Sequence, residues 1–181
     1  MPSRNTIKEN LADGIYHVYN RGVERRIVFQ DSHDYRRFKS QIAAALAQES
    51  TVTLLAYCLM PNHFHMLLKQ ADSLGMSHFM KRLVNGYVMY FNRRHHRIGP
   101  LFQGRYKAAR IVGPLQLMEE SRYIHLNPER AGYGWRQHQH SSVAAYLRER
   151  PDPLVDSAPV LELFDHPRDY QHFLSMGKVR P

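Results

Sequence analysis

The feature that most restricts the fold of this chain lies between residues 52 and 68. Val52 to Leu59 is a near-continuous apolar run, Met60-Pro61-Asn62 follows, and His63-Phe64-His65-Met66-Leu67-Leu68 is largely apolar again. Proline fixes φ and asparagine tolerates turn geometry, so the middle triplet predicts a tight turn. Two β-prone segments across so short a link form an antiparallel hairpin. The first run has no polar side to offer solvent, so it reads as a central strand buried on both faces.

The flanking segments supply the other layers. Ile15 to Asn20 is rich in β-formers and is stopped by Gly22, which predicts a strand. Ser32 to Gln48 reads as a helix capped by Ser32, with Asp34 in its first turn and Tyr35, Phe38, Ile42 and Ala45/Leu46 on one stripe. A second helix is predicted from Met76 to His96 on Phe79, Leu83, Tyr87 and Tyr90/Phe91; its basic end, Arg93 to Arg97, suits DNA or an interface. Tyr106 to Val112 reads as a strand. Pro114 then opens a helix that ends near Asn127, because Pro128 disfavours helical geometry before it. The order β-α-β-β-α-β-α predicts an α+β fold: a ferredoxin-like split βαβ sandwich with an antiparallel sheet, helices on one face and a following helix.

Charge indicates the partner. Among 181 residues, 25 Lys and Arg oppose 16 Asp and Glu, a net +9, which predicts a polyanionic partner, most often nucleic acid. Residues 151–181 carry Arg168, Lys178 and Arg180 against Asp152, Asp156, Glu162, Asp165 and Asp169, a net −2, leaving +11 on residues 1–150. With prolines punctuating that stretch, the expected division is a catalytic domain over 1–150 and an acidic tail over 151–181. Cys58 is the single cysteine, which excludes an internal disulfide framework and fits a reducing compartment. No apolar run approaches a membrane span, and MPSRNTIKENLADG has no apolar core of a secretory signal. The expectation is a soluble, cytoplasmic, nucleoid-associated protein with no membrane partner.

Three residue groups can carry chemistry. His63 and His65 are two apart in a strand, so both imidazoles leave one face while Phe64 leaves the other. They can share a divalent cation, or be ordinary surface or core histidines. On the Pro114 helix, Glu119, Tyr123 and Asn127 recur at i, i+4 and i+8 with Glu120 alongside. Tyrosine is a covalent nucleophile in some enzymes, although its unperturbed pKa near 10 calls for a cation or base nearby; the alternative is a packed ring with a wet hydroxyl. Asn127 can supply an oxygen ligand or simply end the helix. The third group is basic and aromatic: Asn20, Arg21, Arg25 and Arg26, then Gln103, Arg105, Lys107 and Arg110, interleaved with Tyr90, Phe91, Phe102 and Tyr106. Such a set suits a phosphate strand with stacked bases.

Four blocks of sequence carry a resemblance. Tyr16-His-Val-Tyr-Asn-Arg-Gly22, Ala56-Tyr-Cys-Leu-Met-Pro-Asn-His-Phe-His-Met-Leu-Leu68, Phe102-Gln-Gly-Arg-Tyr-Lys107 and Arg122-Tyr-Ile-His-Leu-Asn-Pro-Glu-Arg-Ala-Gly132 resemble, in order, the REP-associated tyrosine transposases, which belong to the single-tyrosine HUH transposases. The resemblance implies that His63, His65 and Asn127 hold Mg²⁺ or Mn²⁺ and that Tyr123 attacks single-stranded DNA to give a 5′-phosphotyrosine and a free 3′-hydroxyl. It implies a hairpin-forming repetitive extragenic palindrome as substrate, with Asn20, Arg21, Gln103, Arg105 and Lys107 at the DNA. No nucleotide cofactor is needed, because the covalent link conserves the phosphodiester. Either a monomer or a homodimer fits. Three alternatives have their own signatures. A replication-initiator-like HUH nickase would share the ligands and nucleophile. A non-catalytic or host-adapted hairpin-binding protein would form no adduct. A metal-dependent hydrolase with Glu119 or Glu120 as base would cleave without trapping DNA.

Overall fold

Around the hairpin at Pro61 the computed structural model, which describes residues 11–176, builds a four-stranded sheet. Most of the N-terminal stretch and the tail residues Lys178 and Arg180 lie outside the described residues. The strands are β1 (Gly14–Arg21), β2 (Val52–Met60), β3 (His63–Gln70) and β4 (Lys107–Ile111), in the order β2-β3-β1-β4 with every pair antiparallel. Helices α1 (Ser32–Gln48) and α2 (Gly75–Arg94) make the two crossovers. This is the split βαβ arrangement read from the sequence.

One face of the sheet packs against those crossover helices. Tyr16, Val18, Tyr57, Leu59, Phe64, Met66 and Leu68 from the strands meet Phe38 and Ile42 of α1 and Phe79, Leu83 and Phe91 of α2. Truncating one such side chain costs about 2–5 kcal/mol through lost burial and the cavity left behind. The two helices are also locked by charge. Asp34, fully buried, accepts from Tyr90 Oη at 3.1 Å and Arg94 Nη1 at 2.6 Å, and His95 Nε2 lies 3.0 Å away. Arg94 and His95 of the basic cluster are therefore turned inward rather than toward a partner. The cap of α1 is Asp31, which accepts from the backbone N–H of His33 and Asp34; Ser32 is already inside the helix.

The second face of the sheet, whose cover the sequence left open, is closed by helices as well. The opposite face is closed by α3 (Pro114–His125), α5 (Val143–Tyr146), α6 (Ala158–Leu161) and α7 (Pro167–Ser175). Leu117 and Ile124 of α3, Tyr146, Val160, Tyr170 and Leu174 pack on Ala56, Cys58, Met60 and Leu67. Residues beyond 150, which composition separates from the rest, thus contribute to the core. Among the tail's acids, Asp152 accepts from Tyr57 Oη at 2.7 Å and Asp169 closes the cap of α7. The helix expected to stop near Asn127 ends at His125, and a short α4 (Asn127–Arg130) begins with Pro128 in its first turn, where its missing N–H costs nothing. The outer edge of β2 is covered by residues 140–142: Leu59 N–H donates to His140 O and Ser142 N–H to Tyr57 O, which removes an open edge. No helix among the described residues is long and apolar enough to cross a membrane.

Candidate active site

The alternation of β3 decides where the histidines go. Phe64 and Met66 enter the α1/α2 core, so His63 and His65 leave the opposite face, under α3. A one-residue slip of register would bury both imidazoles among the aromatics. His63 faces Arg21 directly across the β1–β3 ladder, and His65 faces Tyr19.

His63 has oxygen on both ring nitrogens. Nδ1 lies 2.6 Å from Asn62 Oδ1 and Nε2 lies 2.9 Å from Asn127 Oδ1. Burial lowers the His63 pKa from its usual value, with Arg21 adding to the effect and the Asn127 contact opposing it. A neutral ring carries one proton. If Nδ1–H donates to Asn62, a lone pair on Nε2 faces the Asn127 oxygen, and a cation between them resolves the conflict. Two ligands about 2.1 Å from one ion at right angles stand about 3 Å apart, which matches this pair. Among the described residues no group of three or more His, Cys, Asp or Glu converges on a metal position, so a cation here would take two imidazoles and an amide oxygen. That donor set fits Mg²⁺ or Mn²⁺ through the oxygen, and fits imidazole-preferring metals through the nitrogens.

His65 is held from behind. Its Nδ1 lies 2.8 Å from Nε2 of His17, a fully buried histidine two residues before Tyr19 on β1. His17 Nδ1 in turn stands 3.0 Å from Glu120 Oε2 of α3, close enough for an ion-pair contact but without hydrogen-bond alignment, and both atoms are otherwise unpartnered. Burial is the largest cause that pushes the His65 pKa well below its ordinary value, which leaves the ring neutral and able to ligate at neutral pH.

Tyr123 completes the face. Its ring meets those of His17 and His65 edge-on, each with centroids 5.6 Å apart, and the Arg130 guanidinium lies 4.7 Å from its centroid. Burial raises the Tyr123 pKa, Arg130 and Arg21 pull it down, and Glu120 and Tyr19 push it up. Glu120, Tyr123 and Asn127 follow i, i+3, i+7 spacing toward the histidines. Glu119, expected on that face, instead accepts from Arg122 Nη2 at 2.5 Å.

The far side of α3 is anchored. Buried Ser121 and His125 both reach Tyr170 of α7: its hydroxyl lies 2.7 Å from His125 Nδ1 and donates to Ser121 Oγ at 3.1 Å. His125 Nε2 also lies 2.8 Å from Ser142 Oγ, and the Arg122 guanidinium stacks 4.1 Å from the Phe173 centroid. The helix that carries Tyr123 is therefore held from the C-terminal segment.

Of the DNA-facing candidates, Arg21 shares the His63 face and Lys107 lies opposite Tyr19 on it. Gln103 and Arg105 are exposed on the loop that runs beside the end of β1, where Gln103 N–H donates to Arg21 O. Asn20 pairs with Phe64 and so points to the other side of the sheet. It is buried, and its amide donates to Gly104 O while its oxygen accepts from Arg21 N–H; it anchors that loop. Sequence reasoning passed over His17, Asn62 and Arg130 as individual residues. Each stood inside a quoted block, but only the pairing of β1 with β3 and the turn into α4 bring them to the histidines and Tyr123.

A family model described as "Transposase IS200 like" matches residues 10–127, a span that includes His17, His63, His65, Tyr123 and Asn127. No curated protein sequence matches the chain. Among solved structures, a REP-associated tyrosine transposase bound to a REP hairpin aligns over 85% of this chain and 94% of its own at 13% identity, with a TM-score of 0.66. A putative transposase from Deinococcus radiodurans aligns over 66% and 92% at 17% identity and TM-score 0.45. The tRNA(His) guanylyltransferase of Saccharomyces cerevisiae aligns over 97% and 77% at 8% identity and TM-score 0.46. Sheet, crossovers and matched span together define a transposase-class, DNA-acting protein. The chain belongs to the IS200-like transposase family.

Proposed function

We propose that this transposase cleaves and rejoins single-stranded DNA beside a hairpin, with Tyr123 as nucleophile and a divalent cation, Mg²⁺ or Mn²⁺, held by His63, His65 and Asn127. The observation that carries the reading is the meeting of His63 and Asn127 at 2.9 Å on the face that Tyr123 shares. When bound, the ion polarises the scissile phosphate and offsets charge that develops there. Tyr123 loses its phenolic proton to solvent and its oxygen forms a bond to phosphorus. The P–O3′ bond breaks, and the departing 3′-oxygen takes up a proton. The result is a 5′-phosphotyrosine and a free 3′-hydroxyl, and attack by a 3′-hydroxyl reverses the step without ATP. Arg130 favours the phenolate. Arg21, Arg105 and Lys107 neutralise phosphates, and the likeness to a hairpin-bound transposase supports a hairpin of the REP type as substrate.

Incubation of the full chain with labelled single-stranded hairpin DNA and Mn²⁺, followed by a denaturing gel, tests this. A covalent adduct lost in Tyr123→Phe, with hairpin binding retained, is the expected result. An adduct that persists in Tyr123→Phe refutes the nucleophile. Cleavage without any adduct supports a hydrolase, and binding without either supports a non-catalytic protein.

A further inference from the structure

We infer that Glu120 and His17 form a positioning pair that holds His65 in the tautomer with its proton on Nδ1 and its lone pair on Nε2, the form a divalent cation can use. The inference rests on the metal-assisted reading above and concerns how one ligand is prepared.

The inference is carried by the placement of the three side chains. His17 Nε2 and His65 Nδ1 are 2.8 Å apart, so one proton lies between them. On the other side of His17, Nδ1 faces the Glu120 carboxylate at 3.0 Å. A lone pair on Nδ1 would face negative charge there, in a site where His17 is fully buried and Glu120 is 22% exposed at the side chain. A proton on Nδ1 turns that repulsion into attraction. With its single proton on Nδ1, His17 has a bare Nε2, which accepts from His65 Nδ1–H. His65 is left with its lone pair on Nε2. A carboxylate behind an imidazole that orients a metal ligand is a recognised outer-shell device; here a second imidazole carries the effect one ring further.

The fold makes this relay possible. His17 pairs with Leu67, so His65 is its diagonal neighbour on the same face, within reach of long side chains across a sheet. Glu120 comes from α3, three residues before Tyr123. The same carboxylate that sets the ligand tautomer is therefore tied to the helix that bears the nucleophile. Ligand preparation and tyrosine placement depend on one packing relationship. His63 has a simpler counterpart in Asn62, whose Oδ1 lies 2.6 Å from its Nδ1.

The test uses the ¹⁵N-labelled full chain. Long-range ¹H–¹⁵N correlation spectra of the histidine rings without metal report the His65 tautomer, and calorimetric titration with Mn²⁺ reports affinity. Wild type is expected to carry the His65 proton on Nδ1. His17→Leu removes the acceptor and is expected to lower Mn²⁺ affinity about 10- to 100-fold, the usual cost of losing an outer-shell partner. His17→Gln places an amide oxygen near the lost Nε2 and should recover part of that loss, which a purely structural role would not predict. Glu120→Gln removes the negative charge that favours a proton on His17 Nδ1, and its amide can present either an oxygen or an N–H there, so it should give a mixture of His65 tautomers and weaken Mn²⁺ binding. Circular dichroism melts check folding, and if His17→Leu does not fold, wild type and Glu120→Gln still decide. A wild-type His65 with its proton on Nε2 overturns the inference. So does a folded His17→Leu with unchanged tautomer and affinity. A wild type that binds no Mn²⁺ refutes the metal reading instead, while the metal-free tautomer still decides the role of His17.

Discussion

The guanidinium of Arg130, on α4, stands 4.7 Å from the centroid of the Tyr123 ring on α3. The turn at Leu126 and Asn127 brings these two residues together, seven positions apart in the chain. A cation at that position favours a phenolate over a phenol. At an exposed site such a contact contributes about 0.5–1 kcal/mol, or about 2- to 5-fold in rate. Arg130→Ala is expected to slow formation of the protein–DNA adduct by that factor in single-turnover assays. An unchanged rate removes Arg130 from the environment of the proposed nucleophile.

Anchorage of the tyrosine helix should appear as stability. Tyr170→Phe keeps the ring but removes the hydroxyl that reaches His125 and Ser121. Leaving buried partners unsatisfied costs about 1–3 kcal/mol. Urea unfolding should show a lower midpoint with an unchanged slope. Removing the segment after residue 150 goes further, because it exposes the face now covered by Val160, Tyr170 and Leu174; point substitutions are the cleaner probe of the tail.

Acid sensitivity has a local source at the β2 edge. His140 stacks on Tyr35 with centroids 3.5 Å apart, and burial, then His138 and Lys39, lowers its pKa to about 4. The unfolded chain binds a proton there near pH 6.5, while the folded chain resists until about pH 4. Unfolding therefore takes up protons in that window, and stability falls as pH drops through it, by about 1.4 kcal/mol per unit for each fully coupled group. Partial exposure of His140 reduces this figure. His140→Phe retains the stack and should give a shallower decline between pH 6.5 and 4, measured by chemical denaturation across pH.

Electrostatic binding should follow the exposed cations. Arg105 and Lys107 are both exposed, and Arg21 lies beside His63. Each that contacts a phosphate adds about one to the slope of log K against log salt. Arg105→Ala and Lys107→Ala should each flatten that slope for a hairpin ligand by about 1. A variant with wild-type slope does not contact the backbone.

Much of the fold was legible because its signals are local. The apolar run, the Pro61 turn and the alternation of β3 place His63 and His65 on one face whatever lies around them. Helical spacing likewise packs Phe38, Ile42, Phe79 and Leu83 inward. Asn20 shows what motif proximity leaves undecided: it sits next to Arg21, yet strand parity sends it through the sheet to Gly104. The basic end of α2 is similar, since Arg94 and His95 look solvent-facing until α1 brings buried Asp34 to them.

By itself, the sequence determined the order of elements and the facing of the paired histidines, because periodicity and turn chemistry act within a few residues, while Tyr123 was marked by the resemblance of its block to a known family. Tertiary structure alone decided what stands behind those groups. The β1–β3 register put His17 against His65, the packing of α3 brought Glu120 to His17, and α7 set Tyr170 under the tyrosine helix. These contacts join residues 17, 65 and 120, or 125 and 170. No local pattern encodes such distances, because they exist only once the second face of the sheet has closed.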